Sequence, residues 1–223
     1  MLLFVPYRAD VLMPRLPIAN FALIGFTTLF YVLNMFDWPS PETLRAMYLD
    51  GWKISGLLGH VWVHGGILHV LGNMIFLWTF GNVICAKVGN FRFLLIYLLL
   101  GLFAACVHNV AGGRLAIGAS GAIYGLVGMF VVWFPKNYIV CLLWFIFVPL
   151  AGKIIWVASY WLILLWLAFD IYGTIRGGDN IGHLAHLGGF VGGFVLALYM
   201  TKTGLVERGY EERNLIDIYE GRK

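Results

Sequence analysis

The feature that most constrains this chain is the recurrence of apolar blocks long enough to cross a lipid bilayer. A spanning helix needs about 20 mostly apolar residues. Six stretches meet or approach that length: Pro17–Phe36, His69–Lys87, Arg92–Ala111, Ser120–Phe134, Ile154–Tyr172 and Ile181–Met200. Of the 223 residues, 61% are hydrophobic and only 12% charged, with a mean hydropathy of +0.85. A soluble domain carries about 25% charged residues to wet its surface. The pattern therefore predicts an all-α fold, a polytopic bundle of six membrane helices. It divides the chain into a cytoplasmic N-terminal segment 1–16, a membrane domain 17–202 and a cytoplasmic tail 203–223. The first block has no A-x-A type exit and reads as a retained helix rather than a cleaved signal. Tyr138–Leu150, set apart by Pro149, Gly152 and Lys153, reads as an interfacial or re-entrant segment ahead of span five.

Charge supplies the orientation. Cytoplasmic flanks of membrane helices collect Lys and Arg. With the N-terminus inside, 11 of the 15 basic residues fall on inner segments; the other four, Arg45, Lys53, Arg114 and Arg176, fall outside. Both termini are thus expected in the cytoplasm, with the inner membrane as the location if the source is bacterial. The net charge of +4 comes with no basic run or aromatic-interleaved basic face, which argues against nucleic-acid binding. Cys85, Cys106 and Cys141 sit in or beside apolar stretches without metal-type pairing and read as small core residues. Nothing in the pattern calls for a cofactor or a metal.

Three polar constellations interrupt the apolar background. His60, His64, His69 and Asn73 lead into span two; Gly118-Ala-Ser120-Gly121 opens span four, with Tyr124 and Gly125 one turn on; His183, His186, Gly189 and Gly193 occupy the first half of span six. Spans two, four and six all run from outside to inside, so His69, Asn73, Ser120 and His186 share the outer half of the bilayer. Polar groups at that depth are costly unless they face the bundle interior or water. Gly121-x-x-x-Gly125 and Gly189-x-x-x-Gly193 are stripes of the kind that let membrane helices approach closely, and they would bring Ser120 toward His186. A serine hydroxyl becomes a nucleophile when an adjacent imidazole takes its proton. His69 and Asn73, spaced i, i+4 on one helix face, with the Ser120 backbone N–H, suit the developing oxyanion. No acidic residue reads as placed to orient His186, since Asp170 falls at a span end and Asp179 in a loop. The expectation is a Ser–His dyad.

With these motifs the chain resembles the rhomboid family of intramembrane serine proteases. The resemblance rests on His64-Gly-Gly-Ile-Leu-His69-Val-Leu-Gly-Asn73, Gly118-Ala-Ser120-Gly121 and Ala185-His186-Leu-Gly-Gly189, in family order over about residues 17–202. It implies Ser120 as nucleophile, His186 as base, and His69 with Asn73 as oxyanion donors. It further implies Tyr124 as the aromatic packed on the catalytic histidine. The implied substrates are transmembrane proteins, cut near the extracytoplasmic face. Thr174–Asn180 would be the cap over the site and span five the lateral gate. A proteolytically inactive rhomboid-like binding protein is the competing reading, disfavoured because serine and histidine are both present. Of the remaining histidines, His183 is a weaker candidate base than His186. His60 and His64 fit structural hydrogen bonding first, the water-filled site second and a metal last. His108 and Asn109 read as a polar pair at a span end.

Overall fold

The computed structural model describes residues 2–145, 152–177, 181–206, 209 and 213–221. It is mostly helical. Strand β1, Leu2–Ala9, precedes helix α1, Ile18–Asn34. The long connection that follows holds two short helices, α2 (Pro41–Ala46) and α3 (Ile54–Gly59), and a 3-10 turn at His60–Trp62. Helices α4 (Ile67–Phe76) and α5 (Asn82–Val88) form one rod, joined by a π-helical turn at Leu77–Gly81. Inserted side chains widen helices in this way; here Asn20 Nδ2 of α1 donates to the Leu77 carbonyl at 2.9 Å and to Asn82 Oδ1 at 2.8 Å. Helix α6 spans Asn90–Val110 and α7 spans Ser120–Trp133. Strands β2 (Tyr138–Phe145) and β3 (Gly152–Ala158) come next, followed by α8 (Ser159–Arg176), α9 (His183–Lys202) and a short α10 (Leu215–Tyr219).

Three helical rods, Ile67–Val88, Asn90–Val110 and His183–Lys202, are long and apolar enough to cross a membrane; α1 and α7 are shorter apolar helices. The chain is an integral membrane protein. Helix α7 lies at the centre, buried along nearly its whole length from Gly121 to Trp133. Its partners are α9 on one side and α6 on another.

Two sequence expectations need correction. The fold is not all-α, because β1, β2 and β3 form an antiparallel sheet in that order, with Leu2 opposite Phe145 and Tyr138 opposite Ala158. The expected interfacial segment Tyr138–Leu150 is strand β2 as far as Phe145; its remainder lies outside the described residues. Span five begins later than expected, because Ile154–Ala158 belongs to β3, and it runs further, to Arg176. A run such as Ile-Ile-Trp-Val is rich in β-branched and aromatic residues and has no helical period that would separate strand from helix. Central β2 buries Ile139, Val140 and Cys141. Pro6 is accommodated on β1 because that strand is an edge, and its carbonyl accepts from Thr79 Oγ1 of the π-helical turn at 3.1 Å.

Candidate active site

Two helix starts create the site. Ser120 is the first residue of α7, so its backbone N–H belongs to the first turn, where no preceding helical carbonyl is available. The preceding Gly118 adopts φ +116, and a Cβ there would come within 2.7 Å of His69 Nε2. Glycine thus permits both the turn and the close approach of the histidine. The Gly118 N–H donates to the His60 carbonyl at 2.8 Å, anchoring this turn to the loop below α4.

Helix α9 lies along α7 with almost nothing between them. A Cβ on Gly189 would fall on the Gly121 carbonyl, and one on Gly193 on the Gly125 carbonyl. This backbone-to-backbone seam is what the small-residue stripes predict. It carries His186 to Ser120, whose Oγ lies 2.7 Å from His186 Nε2. The His186 ring stacks on Tyr124 at 4.4 Å between centroids with planes 6° apart. A cavity of about 390 Å³ opens beside the pair, lined among others by His69, Asn73, Ser120, Tyr124, Ile181 and His186.

His69 and Asn73 enter this cavity from one face of α4. The Gly65 N–H donates to His69 Nδ1 at 3.4 Å, which leaves Nε2 as the protonated nitrogen, turned toward Gly118. Asn73 is buried, and its Nδ2 has no hydrogen-bond partner among the described residues. A buried amide without a partner is rare in a folded chain and calls for an explanation.

Asp170 is the residue that sequence reasoning missed. Its Oδ1 lies 2.8 Å from His186 Nδ1 and 2.7 Å from His183 Nδ1, and the carboxylate is buried. The expectation that no acid is placed beside His186 is therefore corrected. Asp170 seemed to fall at a span end because span five was ended at Tyr172; α8 continues to Arg176, which places Asp170 inside the helix and level with the start of α9. The usable signal was that Asp170 is the only acidic residue of that apolar block, and an ionisable group within a membrane helix is costly enough to call for a partner. His183 Nδ1 bonds to Asp170, whereas His186 Nε2 is the ring nitrogen 2.7 Å from Ser120 Oγ.

Asp170, His183 and His186 bring three ligand atoms within 4.8 Å of one another. Two atoms each about 2.0 Å from a tetrahedral zinc stand about 3.3 Å apart. The 2.7 and 2.8 Å separations here are those of direct hydrogen bonds and are shorter than that spacing.

The other three histidines each bond to a nearby backbone carbonyl. His60 Nδ1 bonds to the Gly56 carbonyl at 2.9 Å, and burial lowers its pKa despite that bond. His64 Nδ1 bonds to the Trp62 carbonyl at 3.3 Å, and its ring meets His69 edge-on at 5.1 Å. Burial, with His69 adding to it, pushes His64 down to about 4. His108 Nε2 donates to the Arg114 carbonyl at 2.7 Å, and Asn109 Nδ2 to the Gly51 carbonyl at 2.6 Å. The expected cap Thr174–Asn180 starts within the last turn of α8, and its residues 178–180 lie outside the described residues.

Comparison with known proteins gives the family. A family model described as the Rhomboid domain matches residues 51–203. RHOMBOID-like protein 5 of Arabidopsis thaliana is 30% identical over 179 residues, covering 75% of this chain and 52% of that protein. Rhomboid protease GlpG of Serratia proteamaculans is 25% identical over 183 residues, covering 81% of the chain and 57% of its own length. Rhomboid protease GluP of Bacillus subtilis is 32% identical over 150 residues, 66% of the chain and 27% of that protein. The chain therefore spans about half the length of the first two relatives and less of the third.

Proposed function

The chain belongs to the rhomboid family, and from that premise we propose that it is an intramembrane serine endopeptidase acting on transmembrane segments of other membrane proteins. The observation that carries this reading is the 2.7 Å contact between Ser120 Oγ and His186 Nε2. It stands at the wall of a cavity that also receives the unpaired Asn73 amide.

Ser120 Oγ attacks the scissile carbonyl carbon while its proton passes to His186 Nε2. The oxygen that becomes negative is met by His69 Nε2–H, Asn73 Nδ2 and the Ser120 backbone N–H. As the C–N bond breaks, His186 returns the proton to the leaving amine. Water then repeats the sequence on the acyl-enzyme, with His186 again as base. Tyr124 holds the imidazole plane throughout. The polar end of the cavity lets water reach groups that would otherwise sit in hydrocarbon.

In the bilayer, α1, the α4–α5 rod, α6, α7, α8 and α9 are the six spans, with both termini cytoplasmic. The starts of α4, α7 and α9 then face the extracytoplasmic side, where cleavage occurs. Substrates are reached laterally past α8.

Purified protein should cleave a model transmembrane substrate in detergent or liposomes, with chelator present, and a fluorophosphonate should label Ser120. Ser120→Ala should abolish both. Cleavage that persists in that variant would remove the assignment, and intact folding without any cleavage by the wild type would leave a binding function in its place.

A further inference from the structure

Resting on that serine-protease reading, we infer that Asp170 is a positioning residue of the reaction, making the Ser–His pair part of a Ser120–His186–Asp170 relay. The carboxylate holds His186 in the Nδ1–H tautomer and balances the imidazolium that forms during attack.

The tautomer follows from the partners. An ionised carboxylate only accepts hydrogen bonds, so His186 Nδ1, 2.8 Å from Asp170 Oδ1, is the donor. A neutral imidazole carries one N–H, which leaves Nε2 as the lone-pair nitrogen facing Ser120 Oγ at 2.7 Å. The base is thereby prepared before substrate arrives. Without the acid the two tautomers would compete, and the one protonated on Nε2 cannot take the serine proton. When Ser120 forms its bond to the carbonyl carbon, the proton moves to Nε2 and His186 becomes a cation with both nitrogens protonated. Asp170 keeps its negative charge and takes no proton. At this depth solvent screens little, so a fixed countercharge weighs more than it would in water.

The surroundings explain how the carboxylate is tolerated. Asp170 is buried, yet Oδ1 receives a second donor from His183 Nδ1 at 2.7 Å. The Tyr124 hydroxyl also interacts with this carboxylate, so two histidines and a tyrosine together compensate its burial. A structural ion pair would need only His183. Instead the carboxylate bridges a histidine that touches the nucleophile and one that does not. The titratable groups facing His186 are Tyr124 from α7, His69 from α4, and His183 with Asp170; α6 brings His108, whose Nε2 is occupied by the Arg114 carbonyl.

The test compares wild type, Asp170→Asn, Asp170→Glu and His183→Gln in cleavage of one transmembrane substrate across pH, with fluorophosphonate labelling of Ser120 in parallel. Asp170→Asn should lower kcat by about 10²- to 10⁴-fold with little change in KM. It should also move the acid limb of kcat/KM to lower pH, because the imidazolium loses its countercharge. Asp170→Glu should recover part of the rate. His183→Gln should cost far less than Asp170→Asn, because His183 does not reach Ser120. An acid limb that stays in place in Asp170→Asn, whether or not the rate falls, overturns the proposal while Ser120-dependent cleavage by wild type keeps the protease reading. If Asp170→Asn does not fold, ¹⁵N-histidine NMR of the wild type decides: His186 protonated on Nδ1 at neutral pH supports the relay, and protonation on Nε2 overturns it.

Discussion

Helix α9 has two unlike neighbours. Toward α7 it presents Gly189 and Gly193 to bare backbone, and no side chain fits between. Toward α8 the contact is thinner and polar, made where His183 packs over Gly173 and where Asp170 receives both histidines. Much of α8 is exposed along its apolar face, including Leu164, Leu165 and Phe169. The first contact fixes the Ser120–His186 distance, and the second brings a carboxylate to His186. A nucleophile and base need the rigid seam, because an error of about 1 Å between them is costly in rate. An orienting acid can be delivered by a helix that packs loosely, provided its own hydrogen bonds are made.

That contrast can be broken most severely at the seam. Gly193→Val puts two methyl groups where the Gly125 carbonyl lies. It is expected to destabilise by more than about 3 kcal/mol, the upper end for overpacking, and to abolish fluorophosphonate labelling. Wild-type labelling in a folded Gly193→Val protein would show that the seam does not set the Ser120–His186 distance. The second prediction concerns pH away from both contacts, in the loop ahead of α4. His64 is held neutral at about 4 in the fold against 6.5 in the unfolded chain. A lowered basic pKa means that the unfolded state binds the proton first, so this contribution is complete above about pH 6.5 and is lost as pH falls toward 4. The loss is on the order of 3 kcal/mol. Thermal unfolding measured from pH 7.5 to 4 should show it, and His64→Gln should flatten that slope.

Asn73→Ala should then cost about 3 kcal/mol of transition-state stabilisation, seen as a 10²- to 10³-fold fall in kcat. A fall confined to KM would take Asn73 out of the oxyanion role. Tyr124→Leu removes the stacked ring and should cost about 1 kcal/mol, a several-fold loss in kcat that sharpens how far ring packing aids the base. On the loose side, Phe169→Ala changes an exposed position and should alter stability by no more than about 0.5 kcal/mol. A larger effect in liposomes would mean that α8 packs more firmly than its exposure implies.

The seam and its residues were legible in the sequence for a physical reason. Serine, histidine and asparagine are rare inside apolar blocks, and glycines spaced by four mark one helix face, so Ser120, His186, His69 and Asn73 announced themselves. The α8 side was not legible in the same way. Asp170 depended on where a helix ends, and helix ends are poorly determined by apolar content when Gly173, Thr174 and Arg176 continue the helix. The sheet was hidden for a different reason. Ile154–Ala158 reads equally well as strand or helix, and the partner that makes Tyr138–Phe145 a strand includes Leu2–Ala9, which no local pattern connects to it.

That sheet has a consequence for the order in which the molecule is made. Strand β1 is synthesised before its partner, and Leu2 pairs with Phe145, so its hydrogen-bonding edge must wait until α1, the α4–α5 rod, α6 and α7 have emerged. During that interval an unpaired strand sits beside a membrane being filled with helices. Pro6, which donates no hydrogen bond, and the register shift between Pro6 and Arg8 interrupt that edge and make it a poor template for a second copy. Once β2 arrives, the strand sews Leu2–Ala9 to the link between α7 and α8, and the fold acquires a late closing stitch at the end of α7 remote from Ser120.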